Sequence, residues 1–233
     1  MIIVPDIHGR NFWQDAVKAE STETMVFLGD YTDPYPNEGI ASEKGLEALI
    51  SVLRIKAAQP ERITLLLGNH DLSYISEFLP KCRHDYEHHD TICQLIMDNL
   101  DCFDIAHEVI AANRRIVFSH AGIHPLWLKA HEMCTGIIPE GQECSALNES
   151  FHNGSLYPAL GNVTWHRGGS DEFGSCVWAD VNEHIESDIH LSGCYQIFGH
   201  TKMVEPIIER NFACLDCRRV FRLDDQGVLS QLQ

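Results

Sequence analysis

The sequence predicts an α/β protein built on a parallel sheet. Two observations carry the prediction. Short apolar segments of strand length alternate with segments whose apolar residues recur at helical spacing. Each of several strand-like segments also stops at a polar cluster in which glycine accompanies Asp, Asn or His. Strand–helix–strand order with right-handed crossovers places the strand ends on one sheet edge. Ligands of open α/β sheets bind beyond those carboxyl ends, which is where the clusters fall.

The elements follow in order. Residues 2–4 read as a strand ending at Asp6-Ile7-His8-Gly9, and residues 12–20 as a helix. Residues 24–28 form a second strand that stops at Gly29-Asp30. After a polar, Pro-rich loop, residues 42–58 carry Leu46, Leu49, Ile50 and Leu53 at helical spacing. Residues 62–67 read as a buried strand running into Gly68-Asn69-His70-Asp71. Residues 91–101 predict an amphipathic helix with Ile92, Leu95, Ile96 and Leu100 on one face. Two strands are expected over 105–118, the second ending at Ser119-His120-Ala121-Gly122. Residues 131–169 show no clear period and are rich in Gly, Asn, Ser and Pro; they read as irregular loops with short helices and as a candidate partial lid. Short strands are expected at 195–198, 204–208, 212–215, 220–223 and 228–232, with a hairpin turn at Gly227. No repeat or domain boundary is visible, so a single domain over residues 1–233 is expected.

Composition narrows the function classes. Apolar residues make up 44% and charged residues 22%, the balance of a globular protein rather than a disordered one. No apolar run is long enough to cross a bilayer. A formal charge of −17 argues against nucleic-acid polymers or anionic membranes as partners, because both demand a basic face. The first residues lack the basic region and long apolar stretch of a secretory leader, so a cytoplasmic location is expected. Nine cysteines, an odd number, then read as reduced core residues. Cys214-x-x-Cys217 has no second pair at zinc-site spacing.

The chemistry resides in five strand-end clusters: Asp6-x-His8, Gly29-Asp30-x-x-Asp33, Gly68-Asn69-His70-Asp71, Ser119-His120-Ala121-Gly122 and Gly199-His200-Thr201. In extended chain alternate residues point the same way, so Asp6 and His8 can face one metal together. Imidazole, carboxylate and amide oxygen suit manganese, iron or zinc better than magnesium or calcium alone. A carboxylate such as Asp30 can bridge two ions at about 3.5–4 Å. Alone, Asp6 and His8 could equally be a helix cap or a strand-end turn; five clusters in order favour a metal site.

This set and order resemble the calcineurin-like metallophosphoesterases, and more closely their phosphoprotein phosphatase branch. The resemblance implies a four-layer αββα sandwich of two mixed β-sheets flanked by helices. It implies two divalent ions, manganese first with iron or zinc as alternatives. Asp6, His8 and Asp30 would hold one ion; Asp30, Asn69, His120 and His200 would hold the other. It further implies attack on phosphorus by a hydroxide held between the ions, with His70 protonating the leaving oxygen and Asp33 orienting His70.

Departures from the family pattern bear on the substrate. Asp33 is followed by Pro34-Tyr35 where the family has Arg-Gly, so an expected phosphate-binding arginine is missing. Asp71 stands for Glu, Ala121 for Gly, and Val181 for the Pro after Trp178-Ala179-Asp180. Arg167, then Arg10, are the candidates to supply the missing cation, alongside Asn69 as a phosphate contact. The expected substrate is a phosphorylated protein or a small phosphoester. A symmetrical dinucleoside polyphosphate hydrolase, such as one acting on diadenosine tetraphosphate, is the rival enzyme, and a non-enzymatic scaffold on the same fold the rival class. Of 14 histidines, the ten outside His8, His70, His120 and His200 read as solvated or packing residues, with His124 and His166 nearest the motifs.

Overall fold

A computed structural model describes residues 1–20 and 22–232. The chain divides into two compact units, Met1–Phe103 with Arg218–Gln233, and Asp104–Cys217. The division falls inside a two-residue strand, and no Gly- or Pro-rich linker marks it in the sequence.

The first unit begins with β1 (Ile2–Val4), α1 (Gln14–Ala19), β2 (Met25–Phe27), α2 (Glu43–Ala58), β3 (Ile63–Leu66), α3 (Asn69–Leu72), α4 (His89–Asp98) and β4 (Phe103–Asp104). β1, β2 and β3 are parallel, with Val4 opposite Phe27 and Met25 opposite Ile63. Ile2, Ile3, Val4, Val26, Phe27, Leu65 and Leu66 are all fully buried. These strands therefore read as continuous apolar runs rather than alternating ones, as parallel strands covered on both faces do. α2 buries Ala48, Leu49, Val52 and Leu53, while Leu46 and Ile50 sit at the margin of that face.

The second unit holds β5 (Ala106–Ala111), β6 (Arg114–Ser119), α5 (Pro125–Thr135), α6 (Glu143–His152), α7 (Tyr157–Leu160), α8 (Val181–Glu186), β7 (Cys194–Phe198), β8 (Ile207–Ile208) and β9 (Phe212–Cys214). Its five strands run in the order β5-β6-β7-β9-β8. β6–β7 and β7–β9 are parallel; β5–β6 and β8–β9 are antiparallel. Ala112 and Asn113 close the β5–β6 hairpin with φ of 49° and 61°, the pair of positive φ values that a tight two-residue hairpin needs. Phe198, Phe212, Val181 and Cys214 form a buried cluster, with Met203 and Ile207 packed against it.

Residues 131–169 are more ordered than their composition suggests. They hold the end of α5, all of α6 and α7, and a 3-10 turn over Trp165–Arg167. α6 buries Cys144, Leu147 and Phe151 at helical spacing. Asn148, within the same helix, accepts from the N–H groups of Ile105 and Ala106 (both 3.0 Å) and donates to Ala106 O (2.8 Å). The polar residues between these anchors mask the period.

The chain then returns to the first unit as β10 (Phe221–Leu223) and β11 (Leu229–Gln231). β10 lies antiparallel to β1, and β11 antiparallel to β10, with Gly227 at φ 74° in the intervening turn. The six-stranded order is β11-β10-β1-β2-β3-β4. Both sheets are thus mixed, each with its own helices; only their centres show the parallel pairing that strand–helix alternation predicts. Among the described residues, no helix is long and apolar enough to cross a membrane.

Candidate active site

In the first unit, parallel pairing brings the ends of β1, β2 and β3 side by side. Backbone bonds tie the turn after β1 to that after β2: Ile7 N and His8 N both donate to Asp30 O (3.0 and 2.8 Å), and Gly9 N donates to Tyr31 O (3.1 Å). One buried carboxylate ties the turn after β2 to that after β3. Asp71 Oδ2 accepts from Asp30 N (2.7 Å) and Gly68 N (3.0 Å), while Oδ1 accepts from Tyr31 N (3.0 Å) and Thr32 Oγ1 (3.3 Å). The two turns approach so closely that a Cβ on Gly29 would collide with the Gly68 backbone, and one on Gly68 would collide with Asp30. Asp30 Oδ1 in turn accepts from His70 N at 3.0 Å.

The backbone is unusual at these residues. His8, Asp30 and Asp33 have φ of 46°, 54° and 56°, as does His200 in the second unit at 65°. Residues other than glycine rarely adopt such values, and they concentrate at ligand-binding sites. Left-handed turns redirect the side chains at the strand ends while the strands stay in the sheet.

His8 is buried, and its Nδ1 donates to Thr32 O at 2.8 Å. That bond fixes the tautomer and leaves the Nε2 lone pair free, the usual arrangement behind a metal-binding imidazole. Nε2 lies 3.4 Å from Asp30 Oδ2. Burial holds the His8 pKa well below its ordinary value despite the opposing charge of Asp30, so the ring is neutral and able to ligate.

His70 has the opposite character. Its Nδ1 meets Asp33 Oδ2 at 2.7 Å. Asp33 is itself held through Oδ1, which accepts from the Tyr74 hydroxyl and from Asp85 N (3.2 Å). Burial alone would lower the His70 pKa, but the charge of Asp30 and the bond to Asp33 outweigh it and raise the pKa to about 10. The ring therefore carries a proton at neutral pH. The His8 and His70 rings meet edge-on at 4.9 Å.

Ligand atoms of His8, Asp30 and His70 lie within 4.8 Å of one another, and all three residues are buried. The neutral His8 Nε2 and the Asp30 carboxylate fit a divalent ion, and His70, which carries a proton, stands beside them as a donor rather than a ligand. Asp6 and Asn69 are also buried, and Arg10 Nη1 donates to Asp6 O at 3.4 Å.

In the second unit, β6 and β7 are parallel neighbours, so the turns that follow them emerge together. Gly199 N donates to His120 O at 2.8 Å. His120 Nε2 and His200 Nδ1 face each other at 3.0 Å, and both rings are buried. The Trp178 ring lies edge-on to His200 at 5.7 Å. Asp180 caps α8 through Asn182 N and pairs with Arg167 Nε at 2.8 Å. Arg167 Nη2 also donates to Thr201 Oγ1 (2.5 Å) and His200 O (3.4 Å). The Trp178-Ala179-Asp180 motif thus supports both His200 and Arg167.

The remaining candidates are placed as follows. Arg10 is buried, and its guanidinium donates from Nε and Nη2 to Glu38 (2.7 and 3.0 Å). His124 caps α5 and stacks on Phe173 at 4.2 Å, and His166 stacks on Trp165 at 3.6 Å. Cys214 and Cys217 are buried, and the Cys214 thiol donates to Gly199 O at 3.1 Å.

Four residues outside the sequence assignment adjoin His70 or its partner Asp33. Tyr74 and Asp85 hold Asp33, as above. Cys82 Sγ lies 3.1 Å from His70 Nε2. Arg83 Nη2 lies 3.0 Å from the same nitrogen and 3.4 Å from His8 Nε2. Residues 80–86 have no period and no recognisable spacing, so nothing in the sequence brings them to this place.

A Caenorhabditis elegans protein with the provisional name serine/threonine-protein phosphatase is 28% identical over 130 residues, covering 53% of this chain and 32% of that protein. The chain therefore spans about a third of that relative's length. Two solved structures each align with the whole chain: a cold-active protein tyrosine phosphatase (TM-score 0.58, 13% identity, 78% of its chain) and a protein serine/threonine phosphatase from Saccharomyces cerevisiae (TM-score 0.56, 11% identity, 79% of its chain). At such low identity the two structures show the shared fold. The family match covers residues 2–203: the chain belongs to the calcineurin-like phosphoesterases.

Proposed function

We propose that the chain is a dinuclear phosphomonoesterase of the serine/threonine phosphatase kind, acting on phosphorylated protein or a small phosphoester. The observation that carries this reading is the buried His70–Asp33 pair beside the neutral His8 and Asp30. The proposed ligands are Asp6, His8 and Asp30 for one ion and Asp30, Asn69, His120 and His200 for the other, with manganese first and iron or zinc next. Ions held by such a set acidify water and neutralise phosphoryl oxygens.

The chain's own contribution is proton supply and orientation. As a water oxygen forms the new bond to phosphorus and the ester bond breaks, His70 Nε2–H donates its proton to the ester oxygen, so that the products are a neutral alcohol and inorganic phosphate. Asp33 accepts from Nδ1–H throughout, which keeps Nε2 directed outward and stabilises the charged ring. Tyr74 and the Asp85 N–H hold Asp33 in turn.

The test is manganese-dependent hydrolysis of p-nitrophenyl phosphate, with the metal content of the same samples. Turnover with about two ions per chain supports the reading; full metal content without turnover points to a scaffold, and absence of metal overturns the reading. A panel of phosphopeptides and dinucleoside polyphosphates then decides between a phosphoprotein phosphatase and a dinucleotide hydrolase.

A further inference from the structure

We propose that Arg83 is the phosphate-binding arginine of this site, in place of the one the sequence lacks after Asp33. The proposal rests on the phosphoesterase reading and deepens it by naming the residue that recognises the phosphoryl group.

In a chain of net charge −17, arginines are expected to find carboxylates, and several do. Arg10 and Arg218 pair with Glu38, Arg115 with Glu108 and Glu143, Arg167 with Asp180, and Arg222 with Glu20. Arg83 pairs with none among the described residues, and its buried Nε has no hydrogen-bond partner. Its Nη2 instead points at two imidazole nitrogens, His70 Nε2 at 3.0 Å and His8 Nε2 at 3.4 Å. A guanidinium is a pure donor, and the neutral His8 Nε2, at 3.4 Å, can take at most one of its N–H groups. The nearby Cys82 sulfur is a weak acceptor, so the convergence is suited to an oxyanion. A phosphate group supplies the acceptor oxygens and the negative charge, and a guanidinium can take two of those oxygens at once.

The loop with the altered motif supplies the mounting. Pro34 and Tyr35 occupy the positions of the family's Arg-Gly. The Arg83 guanidinium lies over the Tyr35 ring, 3.6 Å from its centroid. Stacking of this kind fixes the plane of the fork without consuming its N–H donors. Arg83 also has φ of 48°, the left-handed backbone shared by His8, Asp30 and Asp33. His70, by contrast, is directed into the cluster from α3.

The experiment compares full-length wild type with Arg83→Ala, Arg83→Lys and Arg167→Ala, all manganese-loaded. Binding of inorganic phosphate is measured by calorimetry, KM and kcat with p-nitrophenyl phosphate, and the urea midpoint without phosphate. Arg83→Ala is expected to weaken phosphate binding and raise KM together, by about ten- to a hundredfold, as for loss of a charge-assisted hydrogen-bond pair. kcat should change less, Arg83→Lys should recover part of the affinity, and the phosphate-free urea midpoint should stay in place. Unchanged phosphate affinity in Arg83→Ala overturns the proposal. So does loss confined to Arg167→Ala, loss that tracks a lowered urea midpoint, or absence of phosphate binding in wild type. A wild type that binds phosphate without turnover would refute the phosphatase reading alone, because calorimetry still decides the role of Arg83.

Discussion

The histidines of the two units contrast sharply. In the first unit, His70 is backed by Asp33 and raised to about pKa 10, and His8 stands 3.4 Å from Asp30. In the second unit, His124 and His184 are buried among aromatic rings, and desolvation lowers their pKa values to about 4 and 3. His184 lies against Phe198 and Phe212 and is neutral; its Nε2 is buried without a hydrogen-bond partner. All four side chains are buried, so burial alone does not make a histidine a reactive group. What separates His70 from the packing residues is the charge of Asp30 together with a carboxylate hydrogen-bonded to its ring, which offset the desolvation of the charged form.

Breaking the carboxylate-backed pair should have the largest effect. His70→Asn is expected to cost about 10²–10⁴-fold in turnover while metal content stays at the wild-type level, since general-acid catalysis is worth that much. Turnover within a factor of a few of wild type would remove His70 from the mechanism.

Asp71 tests whether the framework under the pair is as important as the pair itself. Its carboxylate accepts from three backbone N–H groups and the Thr32 hydroxyl. Asp71→Ala leaves those buried donors without an acceptor, and should lower unfolding free energy by about 3 kcal/mol or more. Urea unfolding measures it; a loss below about 1 kcal/mol would mean that the turns hold one another without the carboxylate.

The neutral histidines predict acid sensitivity. The unfolded chain protonates His184 below its ordinary pKa of 6.5, whereas the folded chain resists until about 3. The stabilising contribution is therefore fully present above pH 6.5 and is lost as pH falls towards 3, at up to about 1.4 kcal/mol per pH unit. His124 acts in the same direction. His184→Gln should flatten the fall of the urea midpoint between pH 6.5 and 4; an unchanged slope would place the acid sensitivity elsewhere.

The smallest effect is expected at Lys44, whose ion pair with Glu47 is exposed. Lys44→Ala should leave the urea midpoint unchanged, since pairs of this kind contribute little. A clear shift would show that charge on this helix face matters beyond the site.

Much of this was legible beforehand, for identifiable reasons. Asp6, His8, Asp30 and Asn69-His70 each follow an apolar strand, and parallel pairing of β1, β2 and β3 brings their ends together as the alternation predicts. α6 was not legible, because Ser145, Asn148, Glu149 and Ser150 interrupt the period set by Cys144, Leu147 and Phe151. Asp71 reads as a shortened glutamate, yet it holds two turns together through bonds to residues some forty positions away.

By itself the sequence determined which donors exist and that they stand at strand ends, because hydrophobic periodicity and side-chain chemistry are local properties. Tertiary structure decided what each donor became. Left-handed backbone at His8, Asp30 and Asp33 aims them, and long-range neighbours make His70 a cation and His184 a neutral ring. Arg83 was brought to His70 and onto Tyr35 in the same way. Burial and charge at a site depend on residues distant in sequence, so no local pattern could have assigned those roles.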